Sequence, residues 1–232
     1  MDTEFNDAIS IVTFKVGSKG AHEKFHVHKE VACNNSPVFA AAFNGNFAEG
    51  GTLEYTLDDI EPAIFKLLMK WINTTRESYL KQCKDKADPI HEDYKNHFLY
   101  KENLLLVKLW ILGERLLMPA LQNAAIDALE EIVNNAFYTL SHHYKYVYEH
   151  TLPGSALRRY VVEQLIVYFV AEDWLENLRT HFPPDMLFDI FKSYKTRFPL
   201  LRSKDHPPNQ TLINTKEFHV PVEGVNQGKE AS

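Results

Sequence analysis

Between Phe25 and Glu49 the sequence FHVHKEVACNNSPVFAAAFNGNFAE changes its rhythm twice, and few folds accommodate both changes in so short a span. Phe25 and Val27 alternate with His26 and His28, the two-residue period of a strand with one face on a core. Lys29 to Cys33 favour a helical turn, which Asn34, Asn35, Ser36 and Pro37 stop and restart. Ser36 has the side chain of an N-cap, and Pro37 follows at the first helical position, where a missing N–H costs nothing. Phe39 and Phe43 then lie four apart on one helix face, with Ala40, Ala41 and Ala42 between them allowing close approach of another element. Burial of each ring contributes about 1.5–3 kcal/mol. Asn44, Gly45 and Asn46 predict a left-handed helix end, with Phe47 and Glu49 on the loop beyond.

The flanking segments extend the pattern. Val12, Phe14 and Val16 alternate with Thr13 and Lys15, a half-buried strand that the Gly17-Ser18-Lys19-Gly20 turn returns along Glu23 to His28. After a break at Gly50-Gly51, Thr52 to Leu57 predicts a third strand. Asp58, Asp59 and Glu61 before Pro62 place negative charge at a helix start, and Ile64, Phe65, Leu68, Trp71 and Ile72 form that helix's apolar face to about Asn73. Residues 74–102 are polar with scattered aromatics and predict a solvated insertion. Asn103 is the expected cap of a helix buried on most sides. Met118-Pro119 breaks it and opens another, with Leu121, Ala124, Ala125, Ala128, Leu129 and Ile132 inward.

Taken together, Phe25, His28, Lys29, Ser36, Pro37, Phe39 and Phe43, the hairpin before them and the two helices around Met118-Pro119 resemble a BTB/POZ domain, in the variant common in filamentous fungi. The resemblance covers roughly the first 135 residues. It implies an α+β fold, a small three-stranded sheet flanked by a cluster of α-helices. Residues 136–198 add a C-terminal helical extension, with helices expected from Pro153 or Ser155, around Trp174, and from Pro183-Pro184. From 199 to 232 the absence of periodicity predicts a disordered tail.

Four places in the sequence have residue types that can carry chemistry. His22, His26, His28 and Cys33 lie close in sequence, but no CxxC pair or second half-site accompanies them, so no metal is expected. His142 and His143 sit in a polar, Tyr-rich segment that predicts surface placement. The Gly17–Gly20 turn lacks phosphate-loop spacing, and Asp58-Asp59 is explained by the helix it precedes, so neither a cofactor nor an enzyme is expected. A net charge of −6 argues against a nucleic-acid binder. The acidic start lacks the flank of a signal peptide, no apolar run reaches a membrane span, and two cysteines make no disulfide framework, which fits the cytosol or nucleus.

What remains is protein binding. In the family, an apolar-x-Glu motif after this helix is what some members use to engage a cullin scaffold, and Phe47 and Glu49 match it, supported by Phe43. The resemblance therefore implies a substrate adaptor for a cullin-type E3 ubiquitin ligase. The alternative is a self-associating scaffold or transcription-associated protein without cullin binding. On the residues alone, Phe47 either presents its ring to a partner or folds back onto Phe43. Family members that dimerise carry an Asp where Ser10 and Ile11 stand, and ten residues leave no clear room for their exchanged strand, so a homodimer stays open while a domain-swapped one is disfavoured.

Overall fold

The computed structural model describes residues 10–73, 92–136, 140–168, 179–201 and 214–221. β1 (Ile11–Val16) is the central strand of the sheet, antiparallel to β2 (Glu23–His28) and parallel to β3 (Glu54–Leu57), in the order β2-β1-β3. The register sets Phe14 opposite Phe25 on one side and Tyr55 on the other. Val12, Phe14 and Val16 are wholly buried, as their alternation predicts. Gly17 and Gly20 both take positive φ in the hairpin turn, where a side chain would strain the backbone.

Parallel pairing of β1 with β3 requires a crossover. It is supplied by three short helices, α1 (Lys29–Asn35), α2 (Pro37–Asn44) and α3 (Ala48–Thr52). α4 (Pro62–Asn73) follows β3 and buries Ile64, Phe65 and Leu68. Phe14 is the hub of an aromatic core, its ring centroid 4.7 Å from Phe39, 5.7 Å from Phe43 and 5.0 Å from Phe65. The described chain forms two compact units, one comprising 10–73 and 112–118, the other 92–111 and the described residues from 119 onward.

α5 (Glu92–Arg115) belongs to the second unit as far as Ile111, and α6 (Pro119–Ala136) lies within that unit. Asn103 is therefore no N-cap; it lies fully buried within α5. Residues 92–102 of the expected insertion are helical, and 74–91 lie outside the described residues. α7 (Tyr144–His150), α8 (Ala156–Tyr168) and α9 (Pro184–Leu201) complete the unit. The helix expected around Trp174 falls outside the described residues.

Two polar clusters knit these helices. Arg158 is buried and donates from Nε to Thr151 and from Nη2 to the Tyr148 carbonyl at 2.7 Å, while stacking on the Tyr148 ring. Tyr160 and Tyr168 both donate to the Glu130 carboxylate, at 3.0 and 2.8 Å. Burial pushes that carboxyl above its ordinary pKa, against the pull of the two hydroxyls. The tail also departs from expectation. Thr215–Phe218 forms a 3-10 turn, Phe218 is buried with its ring 5.9 Å from Tyr160, and Asn123 bonds both backbone groups of Val220. No helix among the described residues is long and apolar enough to cross a membrane.

Candidate functional site

The loop between α2 and α3 is set from its N-terminal end. Ser36 Oγ accepts from the Phe39 N–H at 3.3 Å, with Pro37 at the first turn, as the sequence predicts. This cap fixes the phase of α2, so Phe39 and Phe43 face the sheet and Ala41 and Asn44 face solvent. The helix ends when the Gly45 N–H bonds the Ala41 carbonyl at 2.9 Å. Gly45 is extended, with φ −87° and ψ −176°, rather than left-handed as expected.

Gly45 serves close approach instead. A Cβ there would collide with the Ala41 carbonyl and stand 3.1 and 3.3 Å from two atoms of the Phe47 ring. The ring thus rests on bare backbone. Phe47 is nevertheless 63 % exposed, the consequence of a platform too narrow to cover it. It occupies the N-cap position of α3, where its carbonyl accepts from the Gly50 N–H at 3.1 Å. Gly50-Gly51, expected as a break, lies inside this helix, and β3 begins only after Leu53 turns through φ 54°.

Glu49 stands in the first turn of α3, half-buried, where the helix dipole favours a carboxylate. It makes no ion pair with another described residue. Ala41, Asn44, Gly45, Asn46 and Ala48, which flank Phe47 in the sequence, are all exposed. The loop offers an exposed apolar ring flanked in sequence by small uncharged residues, with one carboxylate two residues on. Phe43 does not share it. At 2 % exposure, its ring packed edge-on to Phe14, Phe43 is a core residue and is closed to a partner in this fold.

The other sequence candidates disperse. His22 bonds Asp58 at 2.6 Å, His26 meets Thr13 at 3.1 Å, and Cys33 Sγ points to the Phe39 carbonyl. Among the described residues no three His, Cys, Asp or Glu side chains converge for a metal. Asp59 faces Arg115, whose guanidinium holds its carboxyl below the ordinary value, so Asp58 and Asp59 turn to separate partners. His143 is buried rather than on the surface, and its Nε2–H donates to the Tyr100 carbonyl at 3.0 Å. Burial lowers its pKa to about 4. His142 is exposed, as predicted.

Residues 4–92 match the model of the BTB/POZ domain. The chain carries a BTB/POZ domain. Its relatives include BTB/POZ domain-containing protein 6-B of Danio rerio, 42 % identical over 67 residues, which is 29 % of this chain and 14 % of the relative. BTB/POZ domain-containing protein 6 of Xenopus tropicalis is 29 % identical over 125 residues, 54 % of this chain and 19 % of the relative. BTB/POZ and MATH domain-containing protein 3 of Arabidopsis thaliana is 36 % identical over 63 residues, 27 % of this chain and 14 % of the relative. The chain thus spans less than a fifth of the length of these relatives. The α+β architecture is that of the BTB/POZ domain followed by further helices, and the domain is a protein–protein interaction module. Phe47, Gly45 and Glu49 all fall within the matched BTB/POZ segment. Sequence reasoning missed Gly45's part as a platform, because its signal, a glycine two residues before an aromatic, is the same as that of an ordinary helix end.

Proposed function

We propose that this chain is a non-catalytic adaptor of the fungal BTB/POZ type, which binds a cullin scaffold through Phe47 and Glu49 and so links a client to a ubiquitin ligase in the cytosol or nucleus. One observation carries the reading: in a domain that buries Phe14, Phe39, Phe43 and Phe65, the Phe47 ring is 63 % exposed. An exposed ring of this size is an anchor suited to a hydrophobic slot, and a carboxylate beside it steers and orients the partner. The proposed extents are 1–135 for the BTB/POZ domain, 136–198 for the helical extension and 199–232 for the tail, the last amended by the ordered turn at 214–221.

Affinity capture of a cullin with the full chain tests this. The Phe47→Ala, Glu49→Ala double variant is expected to lose capture; retention equal to the parent's overturns the contact. A second reading, a self-associating scaffold, is favoured by Ile11, an apolar residue 50 % exposed at the start of the central strand. It predicts that Ile11→Glu weakens self-association in sedimentation and leaves cullin capture unchanged.

A further inference from the structure

Residues 214–221 lie against α6 and α8 and are held there by side chains of those helices. Among the described residues, the backbone–backbone hydrogen bonds of the segment run only within it, from the Glu217 N–H to the Asn214 carbonyl and from the His219 N–H to the Lys216 carbonyl. Three successive residues supply the grip. Phe218 is buried, its ring edge-on to Tyr160 of α8. The His219 Nε2–H donates to Asp127 of α6 at 2.8 Å. Asn123, one turn before Asp127 on the same helix face, accepts the Val220 N–H at 2.6 Å and donates to the Val220 carbonyl at 3.1 Å. A side-chain amide that closes both hydrogen bonds on one residue of an extended chain reads main chain, which is how a receptor holds a peptide.

The residue before the ring is served as well. Glu217 and Phe218 form part of the wall of a cavity of about 420 Å³, completed by α8 and α9, within the size range of binding pockets. Arg159 and Lys192 on that wall are exposed and make no ion pair with another described residue. The wall's other carboxylates, Glu163 and Asp189, already accept from Ser193 and Tyr148. The two cations therefore favour a carboxylate where Glu217 stands. The hold on the segment is slight, because Phe218 alone is buried while Asn214, Lys216, Glu217 and Pro221 are exposed. One ring and the contacts of Asn123 and Asp127 work against the entropy of ordering the whole segment, an opposing quantity of similar size. We infer that this face is a groove for an extended segment of another protein with the pattern acidic, aromatic, basic, aliphatic, and that the chain's own Glu217, Phe218, His219 and Val220 occupy it until such a segment displaces them.

Fluorescence anisotropy of the full chain with a labelled peptide of residues 214–221 tests this. The parent should bind the peptide weakly, because its own segment competes. Val220→Pro in the chain deletes the N–H that Asn123 accepts, and His219, with φ −70° and ψ 142°, already has the backbone of a residue preceding proline. This variant should release the segment and raise the apparent affinity for the peptide by roughly tenfold or more, and Phe218→Ala in the chain should do the same. Adding Asn123→Ala or Asp127→Ala to either released chain should weaken binding by roughly tenfold, and a peptide carrying Phe218→Ala should not bind. Both positions on α6 are only half-buried, so unchanged circular dichroism is expected alongside. Failure of both released chains to bind the peptide overturns the proposal, as does binding indifferent to Asn123 and Asp127. A dimer formed by exchange of this segment between copies, seen by sedimentation in place of peptide binding, overturns it too. The Phe47→Ala, Glu49→Ala variant should bind the peptide like the parent, which separates this inference from cullin capture.

Discussion

The Ser36 hydroxyl holds two chain segments at once, accepting from Phe39 at the start of α2 and donating at 2.8 Å to the Leu116 carbonyl, 80 residues further on. Leu116 needs such a partner because the chain leaves α5 immediately afterwards, where Leu117 takes a left-handed φ of 54°. A single buried oxygen therefore completes one helix start and one helix end.

Ser36→Ala should accordingly cost more than an ordinary cap. Loss of the cap and of a buried hydrogen bond together destabilise by about 2–3 kcal/mol. Urea unfolding of the two proteins measures it, and Ser36→Thr should recover part of the loss.

Phe43 and Phe47 should separate cleanly. Phe43→Ala empties a core position and should destabilise by about 3–5 kcal/mol. Phe47→Ala removes an exposed ring and should stay within about 0.5 kcal/mol of the parent. Thermal unfolding in parallel with cullin capture distinguishes them, the second variant losing capture while keeping its fold.

Gly45→Ala and Gly51→Ala should differ in sign. An added methyl at Gly45 meets the Ala41 carbonyl and the Phe47 ring, so overpacking should cost about 1–3 kcal/mol. At Gly51, inside α3, nothing lies within 4 Å, and alanine should stabilise by about 0.5–1 kcal/mol. Melting temperatures of both variants give the comparison.

Stability should fall on mild acidification through His143. Its pKa is about 4 in the fold against an ordinary value of 6.5, so between these the unfolded chain binds a proton that the folded chain does not. The neutral ring's contribution is complete above pH ~6.5 and is lost as pH falls toward ~4, by up to about 3 kcal/mol. His143→Gln should flatten the pH dependence of the urea midpoint across that window.

The parts of the fold fixed by neighbours in sequence were legible, and those fixed by distant contacts were not. Ser36-Pro37 announces a helix start because capping is local, and the alternation of Val12, Phe14 and Val16 states which face of β1 is buried. Asn103 has a capping side chain, yet the burial of Leu99, Leu106 and Val107 on either side carries the helix through it. Gly50-Gly51 has the composition of a break, but hydrogen bonds from Gly50 to Phe47 and from Leu53 to Glu49 hold those residues helical. Phe218 stands in an aperiodic polar stretch, and its burial depends on α6 and α8, far away in sequence. In the candidate site Phe43 and Phe47 are again four apart, the spacing of one helix face; only the extended Gly45 between them sends one ring inward and the other out.

Because the Phe47 ring stands over the main chain at Gly45 and is mostly exposed, the identity of residue 47 is weakly coupled to the interior. Replacement there by Leu, Met or Tyr would alter which slot the loop can enter without disturbing the aromatic hub at Phe14. Under the proposed cullin contact, recognition can drift at this one position while the scaffold stays constant, a division of labour that lets closely similar chains diverge in what they hold.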